Sequence, residues 1–130
     1  MEHRIREWPF NVLLMAWSLA ALGSAIAHIV APSWTAAGTN WPGSPHWQLE
    51  IAGFDIFGAI VLGWVARQSQ VGLKIRATLL LCALSLFLGL NHLSGWLEGP
   101  RIFHVVFTIA NAAAVAWGIV ALGMSLRRPR

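Results

Sequence analysis

The sequence predicts an all-α fold, an integral-membrane four-helix bundle of up-down topology forming a single transmembrane domain over residues 1–130. Three observations predict it. The chain is 57% apolar and only 11% charged, where a soluble domain carries about 25% charged residues; its mean hydropathy is +0.63. It contains four apolar stretches of the length that crosses a bilayer, about 20 residues each. Its Lys and Arg residues fall almost entirely at one end of those stretches. The same numbers exclude other classes. Disorder is excluded by the apolar content, and a disulfide framework by the single Cys82. Nucleic-acid binding is not expected, because the basic residues punctuate apolar runs instead of lining one face.

The first span runs from about Phe10 to Ala31 and opens behind Pro9, a residue suited to a first helical turn. Its basic start and the Ala25-Ile26-Ala27 run resemble a cleavable secretory signal, but the stretch is long enough to span and is read as a retained helix. The second span covers Trp47 to Ala66, the third Leu73 to Trp96, and the fourth Arg101 to Leu126. Turn chemistry separates them: Pro32, Asn40 and Pro42-Gly43-Ser44-Pro45, then Gln68-Ser69-Gln70, then Gly99-Pro100. Barrel strands would alternate apolar and polar residues, and these runs do not.

Orientation follows from the basic residues in the short loops. One side receives Arg4, Arg6, Arg67, Lys74, Arg76, Arg127, Arg128 and Arg130, and the other only Arg101. Both termini and the middle loop are therefore expected in the cytoplasm, with the chain a multi-pass protein of a cell inner membrane. Trp34, Trp41, Trp47 and Trp96 gather at the outer side as an interfacial belt.

Ionisable side chains inside a span are costly, about 2.5–3.5 kcal/mol at the centre on insertion scales, and mark function or a dedicated pairing. Here they are His28, His46, Glu50, Asp55, His92 and His104, with Asn91 and Asn111 beside them. Applied to the topology, all four histidines fall within one or two turns of the outer interface. Helical phase aligns His46, Glu50, Gly53 and Phe57 on one stripe, with Asp55 the misfit, about 140° around the helix from Glu50.

His46 and Glu50, four residues apart, are ligand types for zinc or iron. His92, His104 and His28 would complete a site for a divalent metal, and Asn91 and Asn111 would orient the ligands from behind. Haem b is the alternative cofactor, with His28 and His92 as axial ligands across a bundle diagonal and Arg101 meeting a propionate. A metal-free reading makes Glu50 and Asp55 the catalytic or proton-carrying pair. Against all three stands plain solvation: His46, His92 and His104 are polar residues near helix ends. Cys82 reads as a small apolar filler.

The segment Trp47-Gln-Leu-Glu-Ile-Ala-Gly-Phe-Asp55, followed by Gly58 and Gly63, with Gly89-Leu-Asn-His92 and Gly99-Pro100, resembles a group of small four-helix bacterial membrane proteins of uncharacterised function. In length and hairpin plan the chain is similar to the DoxX-like family. The likeness covers the second to fourth spans and implies a bacterial membrane protein, without supplying a reaction. The leading expectation is a membrane-embedded metal site, in an enzyme or otherwise, that handles a lipophilic small molecule or electrons. The alternatives are a small proton-coupled transporter using Asp55 and Glu50, or an accessory subunit. Partners would be the bilayer, a second copy, or a membrane complex.

Overall fold

The structure, a computed structural model, describes residues 2–126 and the side chains of residues 7–125. Arg127, Arg128 and Arg130 of the charge count lie outside the described residues, as do the side chains of Arg4 and Arg6. Among the described residues there is no strand. The elements are α1 (Glu2–Val30), α2 (Pro32–Ala37), α3 (Pro45–Arg67), α4 (Val71–Glu98) and α5 (Ile102–Leu126). The chain is a four-helix bundle: α1, α3, α4 and α5 are each long and apolar enough to cross a membrane. Large apolar side chains such as Phe54, Ile60, Leu80, Phe87 and Ile119 stand on its outside, as lipid-facing residues do. Below, the end where α1 begins and α5 finishes is the near end, and the other the far end.

Two elements differ from the sequence expectation. Helix α1 begins at Glu2 and runs through Pro9, and the chain around Pro9 is held against α5. Trp8 packs edge-on against Trp117, ring centroids 5.8 Å apart, and Trp117 Nε1 donates to the Pro9 carbonyl at 2.9 Å. The turn expected after Pro32 contains the short helix α2, which Pro32 opens at a position where a missing N–H costs nothing.

The helices pack as two close antiparallel hairpins, α1 with α3 and α4 with α5; α1 also touches α4 and α5, and α3 touches α4. Small residues permit the close approach. In the first hairpin Ser18 Oγ donates to the Ala59 carbonyl at 2.7 Å. In the second, Gly118 faces Cys82, and a Cβ on Gly89 would lie 3.1 Å from the Asn111 Cβ. An apolar core of Leu13, Leu14, Val65, Ala66, Leu81 and Ala114 joins the hairpins towards the near end.

At the near end the hairpins are pinned by an ion pair, Lys74 Nζ to Glu7 Oε2 at 2.8 Å. At the far end the α1–α3 connection lies over α5. The Phe103 N–H donates to the Gly38 carbonyl at 3.0 Å, and Trp34 packs edge-on against Phe103. Gly38 is needed there for space: a Cβ would sit in the Phe103 ring.

Between α4 and α5 the hydroxyls of Thr78 and Ser85 are fully buried without a partner among the described residues. An unmatched buried polar group costs about 1–3 kcal/mol, and an apolar isostere removes that cost. Thr78→Val is therefore expected to stabilise the protein by about 1 kcal/mol, read as a raised unfolding midpoint in detergent.

Candidate functional site

Among the described residues, the ionisable side chains towards the far end and the middle of the bundle fall into four separate groups. The first lies beneath the connection at the far end. His92 Nδ1 and His104 Nδ1 are 3.2 Å apart, and the Asn40 backbone N–H donates to His104 Nε2 at 3.0 Å. That second bond fixes the chemistry. A ring nitrogen that accepts carries no proton, so the His104 proton is on Nδ1 and is donated to His92 Nδ1. Both rings are then neutral, with the remaining proton on His92 Nε2. The Asn40 side-chain amide donates to the Gly95 and Gly99 carbonyls at 2.8 and 2.9 Å. The Trp41 ring covers both histidines, its centroid 4.7 Å from His104 and 5.0 Å from His92.

The second group joins α1, α2 and α3. His28 Nδ1 meets Gln48 Oε1, and the Thr35 hydroxyl reaches the same oxygen at 2.7 Å. The third is the pair His46 Nε2–Glu50 Oε1, 3.0 Å apart, with side chains 77% and 44% exposed on the outside of α3.

The metal-ligand set expected from His46, Glu50, His92, His104 and His28 is thus dispersed over three places. Among the described residues no three His, Cys, Asp or Glu side chains come together to hold a metal ion. The helix face of each residue decides this. The stripe His46, Glu50, Gly53, Phe57 faces outward, whereas Gln48, Ala52 and Ala59 face in, with Asp55 half-buried on the same side. The small alanines carry the contact with α1, so the supposed misfit Asp55 lies on the packed side. Glu50 and Asp55 accordingly do not form an acid–base couple.

The haem arrangement does not fit either. α1 and α4 touch directly instead of standing across a diagonal, and His28 and His92 belong to two separate polar groups, one held by Gln48 and the other by His104. Arg101 is exposed at the end of the bundle. Asn91 is exposed, and Asn111 Nδ2 donates to the Phe107 carbonyl at 2.8 Å, so neither orients a histidine.

The fourth group surrounds Asp55. Trp17 and Ala21 of α1, Phe54, Phe57 and Gly58 of α3, and Leu84 of α4 are among the residues lining a cavity of about 590 Å³. Asp55 is its one ionisable residue. Its Oδ2 is buried without a hydrogen-bond partner among the described residues. The Ser24 hydroxyl lies beside the carboxyl, and His28 stands one helical turn further along α1 towards the far end, against Gln48.

A smaller cavity of about 410 Å³ at the near end is walled by Glu7, Asn11, Arg67 and Lys74. Lys74 was expected as a loop charge, but it sits inside α4, almost fully buried. Its spacing to Thr78, Leu81 and Ser85 marks the inward stripe and is the signal that could have found it. Asn40, Trp41, Gln48 and Thr35 were also missed as site residues, because their partners lie far away in sequence.

No protein-family model, curated protein or solved structure matches this chain. Its class rests on its own residues: an all-α, multi-pass membrane protein of four long helices.

Proposed function

We propose that the protein is an inner-membrane protein with cytoplasmic termini, and that it binds a lipophilic small molecule drawn from the bilayer. The ligand occupies the cavity between α1, α3 and α4, and Asp55 anchors its polar group. The uneven distribution of Lys and Arg supports the orientation. The observation that carries the function is the cavity itself. At about 590 Å³ it falls in the range of small-molecule sites, about 300–1,000 Å³. Its wall is apolar except for one carboxyl with an unmatched oxygen. Mostly apolar walls with one placed polar group are the pattern of a specific small-molecule site.

Gly58 supplies the test. It lines the cavity, and a Cβ there would meet no atom within 4 Å, so Gly58→Leu starts its side chain in open space and extends it into the cavity. In lipid nanodiscs, saturable binding of a radiolabelled lipophilic amine is expected to weaken about tenfold or more in Gly58→Leu, with the unfolding midpoint unchanged; losing a good apolar fit is worth about that much. Equal binding by both proteins would remove the cavity as the site.

A further inference from the structure

Resting on that reading of the cavity, we infer that its ligand is a lipophilic monocation that displaces a proton from Asp55, and that the proton leaves through His28 to the far end. Three observations meet here.

The first is the carboxyl. A bare carboxylate in apolar surroundings is strongly unfavourable, so Asp55 carries either a proton or a cation. The ionised carboxyl repels a ligand bearing an anion, and a neutral hydrocarbon leaves Oδ2 unmatched.

The second is the aromatic lining. Trp17, Phe54 and Phe57 all border the cavity, and aromatic faces attract organic cations, most strongly when water is excluded. Trp17 comes from α1, while Phe54 and Phe57 stand at the lipid-facing rim; an aromatic approach leading to a single carboxyl suits a positive charge spread over a greasy body, such as a quaternary ammonium, a phosphonium or a protonated lipophilic amine.

The third is the route. His28 Nδ1 is engaged with Gln48 Oε1, an acceptor, so this nitrogen donates. Nε2 is the ring nitrogen left over for a proton that leaves Asp55 past the Ser24 hydroxyl. His28 stands one helical turn nearer the far end than Ser24, which lies beside the Asp55 carboxyl. Beyond it, Gln48 and Thr35 continue the polar contacts to α2. In the other direction lies the apolar core of Leu13, Leu14, Val65 and Leu81. The groups facing Asp55 are Ser24 and His28 from α1, while α4 presents only apolar side chains to the cavity, Ala77, Leu80, Leu81, Leu84 and Leu88. Glu50 on α3 points outward to His46.

The exchange balances: the cation enters, the Asp55 O–H bond breaks, and Nε2 of His28 takes the proton and passes it to far-end water. One proton leaves for each cation bound.

Titration calorimetry of the full chain in nanodiscs tests this with tetraphenylphosphonium, a cation without a proton of its own, and with neutral triphenylphosphine. Two buffers of different ionisation enthalpy count the protons. Where Asp55 starts protonated, the phosphonium is expected to bind once per chain with close to one proton released. Its affinity should fall about tenfold for each unit by which the pH is lowered in that range, as one-proton competition requires. Asp55→Asn is expected to weaken the phosphonium about thirtyfold or more, to abolish its pH dependence, and to leave triphenylphosphine binding intact. His28→Phe should slow proton release in stopped flow while keeping the affinity at high pH. Phosphonium binding that releases no proton and ignores pH, in the wild-type chain alone, would overturn the exchange. Release unchanged in rate by His28→Phe would overturn the route, and failure of both probes would overturn the cavity reading itself.

Discussion

Replacing Lys74 with methionine is expected to destabilise the protein by about 3–5 kcal/mol, the cost of leaving one member of a buried ion pair without its partner. Lys74 is 2% exposed in its side chain and Glu7 20%, so the abandoned carboxylate is left with only the near-end cavity it shares with Arg67. Glu7→Gln should cost less, because the amide oxygen can still accept from Lys74. The double variant Glu7→Leu with Lys74→Met should recover most of the loss, since replacing both members by apolar groups is often neutral. Reversible unfolding in mixed micelles measures all three. A single Lys74→Met variant as stable as the wild type would show that the pair contributes nothing.

Gly95→Ala is the second large effect. A Cβ on Gly95 would lie 2.6 Å from both nitrogens of the His104 ring, which is 0% exposed and has no free space to retreat into. Overpacking alone costs about 1–3 kcal/mol. The displaced ring also loses its bonds to Asn40 and His92, so a total near 3 kcal/mol is expected. Nitrogen NMR checks the cause: the wild-type spectrum should show one accepting and one protonated nitrogen in each of the two rings, and the variant should lose that pattern. Trp41 emission should shift as its ring leaves the histidines. A variant with unchanged imidazole signals would mean that the pair is not held by this contact.

The four spans were legible because hydrocarbon thickness sets a length that sequence displays directly, and because Gly99-Pro100 and the Pro42–Pro45 cluster break helices wherever they occur. The inward and outward faces of α3 were not. In a helix that is apolar all round, the polar residues dominate any periodicity, and His46 with Glu50 drew the stripe to the exposed side. What decides the face is the small residues Ala52, Ala59 and Ala66, seven apart and all buried, because backbones approach only where side chains are short. Lys74 was hidden by the opposite error: a charge next to a turn looks solvated unless its stripe is followed inward. The His92–His104 pair was legible in part, since two histidines flank a tight turn. Asn40, whose N–H settles their protonation, sits 64 residues from His104, and no local pattern reports such a contact.

The Glu7–Lys74 pair also works as an index pin for the vertical alignment of the hairpins. The cavity has walls on both sides of the seam, α3 from the first hairpin and α4 from the second. Sliding α4 by one turn would move its wall about 5.4 Å, exchanging which leucines meet Phe54 and Trp17. Apolar helices in lipid offer little to oppose such a slide, whereas a single short ion pair between α1 and α4 admits one height only. A bond at one end of the bundle thereby dictates the shape of a chamber roughly 15 Å away along α4, between Lys74 and Leu84.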